Sequence, residues 1–249
     1  MAQNKIYIYG KHAVEEALQG KPHAVGKVLV SKQEVGSALE ALIKKTGVLV
    51  EKFSDATRPS YIDREVAHQG VIAQISVDKL VIPYKDFVEK LTVTPDTALA
   101  LLGEIQDPQN VGAIIRSAAA FGISGVLIPE HNQASVSGAV IKASSGMAFR
   151  VPLVSIGNVN TTLRDLKEKK FWVYGLDETA AKNLSQEIFD APTLFVLGNE
   201  ALGIREKTRE MCDILLSISM HSQCESLNVA SSATVAFYAW SRGHANALK

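Results

Sequence analysis

The stretch Leu99-Ala-Leu-Leu-Gly-Glu-Ile-Gln-Asp-Pro-Gln-Asn-Val-Gly-Ala-Ile-Ile-Arg-Ser-Ala-Ala-Ala-Phe-Gly-Ile-Ser-Gly-Val-Leu-Ile-Pro129 decides the fold. It reads as strand, polar loop, helix, strand. Leu99 to Leu102 and Gly125 to Ile128 are short continuous apolar runs, as expected of strands buried on both faces. Asp107-Pro108 breaks the chain, Asn110 stands at the expected N-cap, and Gly122 follows the last helical turn as a stop. Val111, Ile114, Ile115, Ala118 and Phe121 recur at helical spacing and predict the face that covers the sheet. The other face, Gly112, Ala113 and Ala120 with one cation, Arg116, is expected to admit a second backbone closely.

Working outward, the C-terminal part repeats this alternation. Strand-like runs fall at Leu153 to Ser155, Phe171 to Leu176, Leu194 to Leu197 and Ile214 to Ile218, with helical patterns between most of them. The expected class is α/β with a largely parallel sheet, whose ligands collect at the carboxyl ends of strands. Polar clusters lie at those ends: Asp107 to Asn110, Gly198-Asn199-Glu200, and Ser219-Met220. Toward the N-terminus, strands at Ile6 to Tyr9, Lys27 to Val30, Val48 to Phe53 and Val71 to Ile75 alternate with helices at His12 to Leu18, stopped by Gly20, and Glu34 to Lys45, stopped by Gly47. A small α/β domain is expected over 1–77, a linker over 78–95 with a short helical pattern from Tyr84 to Leu91, and a second domain over 96–249.

The chain carries 26 Lys and Arg against 26 Asp and Glu, so any nucleic acid must be held by local groups and not by an overall field. No apolar run approaches the ~20 residues of a membrane span, and Met1 to Lys5 lacks a signal-peptide core, so a cytoplasmic protein without membrane contact is expected. Cys212 and Cys224 belong to no disulfide framework, and with His221 they lack the paired spacing of a zinc site. Neither a dinucleotide fingerprint nor a P-loop occurs. Gly198 to Gly203 has P-loop glycine spacing without the lysine; it reads either as exposed main chain for an adenosine-like ligand or as a plain strand-to-helix turn. Ser226 and Asn228 open a helix of small residues that runs to about Arg242, where helix capping accounts for both residues as well as chemistry does.

Three clusters in this order resemble the SpoU (TrmH) group of SPOUT RNA 2′-O-methyltransferases. Asp107 to Ala118 is similar to the family's first motif, Leu197 to Ile204 to the second, and Ser226 to Ala230 to the third. Ile8 to Val14 and His68 to Val71 are similar to the ribosomal-RNA branch with its small RNA-binding domain, nearest to the 23S rRNA guanosine-2′-O-methyltransferase subgroup. The resemblance implies a C-terminal trefoil knot, a homodimer with an active site completed across the interface, and S-adenosyl-L-methionine held by Gly198, Asn199, Ile218, Met220 and Leu227. It implies catalytic roles for Asn110, Arg116, Glu200, Ser226 and Asn228, and ribosomal RNA as partner, with Lys11, His12, Lys27, Lys32 and Arg64 available in the first domain. Arg116 is expected to stabilise the developing alkoxide, with an RNA phosphate or water taking the proton; a deprotonated arginine base is the alternative. Two departures stand out: Ala201 where glycine is usual, expected to reshape the loop, and Ser219 where proline is common. A catalytically silent RNA-binding protein, a transfer-RNA substrate and a different nucleotide-using α/β enzyme are the competing readings.

Overall fold

A computed structural model of the chain describes residues 4–31, 36–54 and 68–249. Lys32 and Arg64, the predicted start of the second helix at Glu34 and most of the polar stretch from Ser54 to Gly70 lie outside the described residues. The first sheet has strand order β1 (Lys5–Tyr9), β4 (Val71–Ser76), β2 (Val25–Ser31), β3 (Leu49–Phe53), antiparallel except for the β2–β3 pair. Helices α1 (Lys11–Gly20) and α2 (Ser37–Thr46) accompany it. Gly20 does not stop α1 but ends it inside the helix. A Cβ there would lie 2.3 Å from the Phe149 carbonyl oxygen, so the glycine serves close packing on the C-terminal part. Arg150 strengthens that contact, donating from Nε to Glu16 at 2.6 Å and from a terminal nitrogen to Gln19 at 2.7 Å.

Short helices α3 (Val77–Leu80) and α4 (Tyr84–Val88) flank β5 (Val81–Pro83). Residues expected to be a linker thus supply a strand, because Val81 to Pro83 pair in parallel with Leu153 to Ser155 and close the edge of the larger sheet. That sheet is parallel throughout, in the order β10 (Lys182–Asn183), β12 (Ile214–Ser217), β9 (Trp172–Leu176), β11 (Thr193–Leu197), β6 (Ala98–Leu102), β7 (Gly125–Pro129), β8 (Leu153–Ile156), β5. Every residue of β6, β7 and β11 is buried. Alternate side chains supply two cores: Ala98, Ala100 and Leu102 join Phe195 and Leu197 on one face, while Leu99 and Leu101 join Leu194 and Val196 on the other. This two-sided burial produces the continuous apolar runs.

Helix α5 (Pro108–Ala120) covers the first of these faces with α6 (Gly138–Ala143) and α9 (Val229–Ser241); α7 (Val159–Glu168) packs on the second through Leu163 and Leu166. Four-residue α8 (Glu206–Arg209) precedes β12. Val111, Ile114, Ile115 and Ala118 are buried as expected, whereas Phe121 is half-buried and meets Tyr238 edge-on. At Gly112 the expected close approach of a second backbone is met. The residue is buried, and a Cβ on it would lie 2.3 Å from Ala143 Cβ and 2.8 Å from the Val140 oxygen, so the close backbone approach is to α6 of the same chain.

Candidate active site

Strands β6 and β11 are neighbours where the strand order reverses, and the crevice beyond their carboxyl ends is where such sheets bind ligands. The backbones meet tightly there: Gly103 N–H donates to the Leu197 oxygen at 2.6 Å, and a Cβ on Gly198 would stand 2.4 Å from the Gly203 carbonyl carbon. Beyond Gly198 the chain closes a small hairpin in which Asn199 and Gly203 exchange both backbone hydrogen bonds at 2.9 Å. The Asn199 side chain accepts from the Ala201 and Leu202 amides and donates to the Glu104 oxygen at 2.8 Å. Asn199 therefore shapes the loop with the groups expected for a ligand. Ala201 needs no left-handed backbone, since within this hairpin only Gly203 has positive φ, at 65°. Alanine therefore sits here without left-handed strain.

The hairpin carries Glu200 at an exposed position, and a chain of hydrogen bonds joins it to two other loops. Asn228 caps α9, its Oδ1 accepting from the Ala230 and Ser231 amides at 2.9 and 3.3 Å. That fixes its Nδ2 as donor to Asn110 Oδ1 at 2.9 Å, which in turn leaves Asn110 Nδ2 to donate to Glu200 Oε1 at 2.9 Å. Asn110 is free to do this because it is not the N-cap of α5. Asp107 takes that place, accepting from Gln109 N–H at 2.8 Å, with Pro108 as the first helical residue.

Gln133, which the sequence reading missed, steadies the same loop by bonding both backbone groups of Ile105, at 2.8 and 2.7 Å. Its signal is absent from the sequence because the contact spans two separate loops.

The remaining expected residues surround this chain at different depths. Ser226 and Leu227 precede the α9 cap and are exposed; Ile218 and Met220, beyond β12, are half-buried. Ile218 packs on the same core as Leu176 and Val229. Ser219 accepts a hydrogen bond from Asn183 Nδ2 at 2.7 Å, tying the end of β12 to β10. Arg116 is exposed and is not brought to the Asn110–Glu200 pair. Six residues further along α5 place it ~9 Å along the axis and about 120° away around it. It has no hydrogen-bond or ion-pair partner among the described residues. An open cleft of about 380 Å³ beside Asn110 is lined by Ala113, Asn228, Ser231 and Thr234, and across it α5 and α9 are bonded through Ser117 and Thr234 at 2.7 Å.

Charges flanking the site are locally compensated. Burial pushes the Asp177 carboxyl up, but hydrogen bonds from Thr179 and Arg209 outweigh this and hold it below its ordinary value. Burial also pushes the Cys212 thiol up to about 12. No group of three or more His, Cys, Asp or Glu able to hold a metal occurs among the described residues, and no helix there is long and apolar enough to cross a membrane. In the first sheet, Lys11 N–H donates to Gln69 Oε1 at 3.1 Å, which brings the segment from Ile8 to Val14 against that from His68 to Val71. Lys27 is paired with Glu51 at 2.7 Å.

Residues 98–238 match the model of the SpoU rRNA Methylase family, and residues 7–79 match that of the RNA 2′-O ribose methyltransferase substrate-binding family. The chain is 34% identical to the 23S rRNA (guanosine-2′-O-)-methyltransferase RlmB of Neisseria meningitidis serogroup B, over 92% of each chain. It is also 34% identical to the Haemophilus influenzae RlmB, over 93% of this chain and 95% of that one. Among solved structures, the SpoU methyltransferase AviRb of Streptomyces viridochromogenes in complex with AdoMet is similar with a TM-score of 0.80 and 25% identity, covering 96% of this chain and 89% of that one.

Proposed function

The chain belongs to the SpoU rRNA methylase family, and from that premise we infer that it transfers a methyl group from S-adenosylmethionine to a ribose 2′-hydroxyl, that of a guanosine in 23S ribosomal RNA. The observation that carries this reading is the Asn228–Asn110–Glu200 chain, which joins the three motif loops at the switch point of the sheet. The residues fit the cofactor. An adenosine needs an apolar slot and main-chain partners; Leu227, 40% exposed, half-buried Ile218 and Met220, and the backbone of the glycine hairpin at 198–203 are groups of that kind in the motif loops. Bound there, S-adenosylmethionine would supply an electrophilic sulfonium methyl. The protein's own groups align the ribose and exclude alternative geometries, and proximity supplies much of the rate.

Glu200 has one oxygen anchored by Asn110 while the residue stays exposed, which leaves its other oxygen to accept from a ribose hydroxyl. Arg116, as a guanidinium, donates and does not accept, and stabilises the developing alkoxide while water or an RNA phosphate takes the proton. Its place on α5, turned from its own Asn110, supports action across a homodimer interface. So does the exposed stripe of α9 formed by Ser231, Val235, Tyr238 and Arg242 beside it. We place the knot in the chain from β11 through α9, the first sheet in RNA recognition, and the protein in the cytoplasm with its ribosomal substrate.

The test is a map of 2′-O-methylation across ribosomal RNA from cells with and without the gene, together with calorimetry of the purified protein. One guanosine of 23S rRNA should lose its methyl group, and S-adenosylmethionine should bind. Glu200→Ala should bind cofactor and keep its fold, because it removes one exposed hydrogen bond worth about 1 kcal/mol, yet lose methyl transfer. Absence of cofactor binding by the unaltered protein would refute the reading.

A further inference from the structure

The carboxyl ends of β6, β7 and β8 hold a second cleft, over the sheet face opposite to the one that α5 and α9 cover. It encloses about 210 Å³, and Ile204 and Arg205, which follow the 198–203 hairpin, form part of its wall. Its floor is apolar, formed by buried Val196 and Pro129 with half-buried Ile204. Its rim is polar and rich in donors. Arg205 donates from Nε, and points a terminal nitrogen, to Glu104 Oε2, both at 2.8 Å, which fixes the guanidinium and leaves its remaining N–H groups unspent. Asn160 accepts from the Thr208 hydroxyl at 3.1 Å and so keeps its NH₂ for another partner, and exposed Asn132 stands at the same rim.

Size and chemistry narrow the ligand. Clefts that hold whole cofactors run to ~300–1,000 Å³, so this one suits a single flat fragment. An apolar floor penalises a bare phosphate and suits the face of a base, while the rim calls for acceptors at the base edge. Guanine presents two, O6 and N7, where adenine presents one acceptor and one donor. Proteins read single-stranded RNA by splaying out such bases. Resting on the reading of the protein as an RNA methyltransferase, we propose that this cleft binds one guanine base of the RNA strand, a neighbour of the methylated nucleotide, and so contributes to choosing the site of methylation.

Gly157 allows a clean test, for it lines the cleft, its φ is not positive, and a Cβ there would meet nothing within 4 Å. Gly157→Trp should plug the cleft without strain, and Arg205→Gln should remove rim donors. The full-length protein is titrated with an RNA fragment spanning the methylated guanosine, by fluorescence anisotropy and by initial rates. Gly157→Trp should weaken RNA binding and raise KM at least tenfold, and Arg205→Gln several-fold, with kcat at saturating RNA and affinity for S-adenosylmethionine within about twofold of the unaltered protein. An abasic nucleotide is then placed in turn at each position flanking the methylated guanosine. One position should cost the unaltered protein tenfold or more and cost Gly157→Trp almost nothing. Equal RNA binding by both variants and the unaltered protein overturns the proposal, as does full additivity of the abasic and Gly157→Trp losses. A loss in Arg205→Gln that no abasic position reproduces assigns the cleft to a phosphate and equally overturns it. Failure of the unaltered protein to transfer methyl would refute the activity instead, and the binding titrations would still decide the cleft.

Discussion

Replacing Gly112 by alanine sets two effects of opposite sign against each other. In a helix interior, alanine is favoured over glycine by about 1 kcal/mol, so an open position would gain stability. At 112 the added Cβ would meet Ala143 Cβ at 2.3 Å, the Val140 oxygen at 2.8 Å and the Ser144 nitrogen at 2.9 Å. Carbon atoms rest at roughly 3.5–4.0 Å, so α6 must retreat by more than an ångström, and two of the three atoms are backbone that cannot rotate away. Overpacking of this kind costs about 1–3 kcal/mol, and rigid neighbours put it at the upper end. The net loss is about 2 kcal/mol, or a Tm lower by about 4–8 °C for a chain of this size. Urea titrations of Gly112→Ala over a roughly hundredfold range of protein concentration separate a contact within the chain from one between protomers. The loss should be the same at every concentration. A variant as stable as the original, or one whose deficit vanishes as concentration rises, would refute the intrachain account.

Other perturbations reach different parts of the molecule. If Arg116 completes the partner protomer's site, Arg116→Ala and Asn228→Ala homodimers should both be inactive while co-refolded mixtures regain partial methyl transfer; verified mixed dimers that stay inactive would count against it. Exposed Cys224 should react with a thiol reagent at pH 8 well before Cys212, whose thiol burial pushes up to about 12 and which donates to the Thr208 oxygen; mass spectrometry of the modified peptides reads the order. Burial pushes the Glu187 carboxyl up, but bonds from Lys182 and the Phe189 and Ile188 amides more than offset this and hold it low. Its stabilisation is therefore present above the unfolded carboxylate value of ~4.3 and lost as pH falls through the lower folded value. Glu187→Gln should flatten the acid limb of the stability profile, and an unchanged limb would assign acid lability elsewhere.

The strands of the larger sheet were legible because burial on both faces writes itself as unbroken apolar runs, as in Leu99 to Leu102 and Leu194 to Leu197. Two strands escaped: Lys182–Asn183 is too short and polar to stand out, and Val81 to Pro83 lies among residues that punctuate like a linker. Asn110 was assigned to the cap because asparagine suits that place, yet proline at the first helical position makes the preceding Asp107 the cap. That signal stood in the sequence and returns Asn110 to the site. Gly112 signals that a second backbone comes close, and α6 folds back over it to supply one, but no local pattern encodes which segment makes that return. The three motif loops were recognisable individually; the order of hydrogen bonds among Asn228, Asn110 and Glu200 depends on which group each cap consumes, and only the assembled fold states that. The second cleft had no sequence signal, since its wall is gathered from four loops.

The placement of β11 between β6 and β9 has a consequence for the time course of folding. Ala98 pairs with Thr193, 95 positions away, so the two halves of the sheet, each held by shorter-range pairings, are joined only by a distant one. Until residue 197 has emerged, β6 presents a bare edge of five buried residues on one side, while β7, β8 and β5 can already assemble on the other. Closing so long a loop adds little to the equilibrium cost, which grows only with the logarithm of length, but pairings of this kind slow the search for the native state. The nascent chain must therefore carry a half-sheet with an open apolar edge, a period in which aggregation competes with completion. Helix α9 follows β11 in the chain and packs on Phe195 as well as on α5, so the site that unites the three loops waits for the last part of the chain.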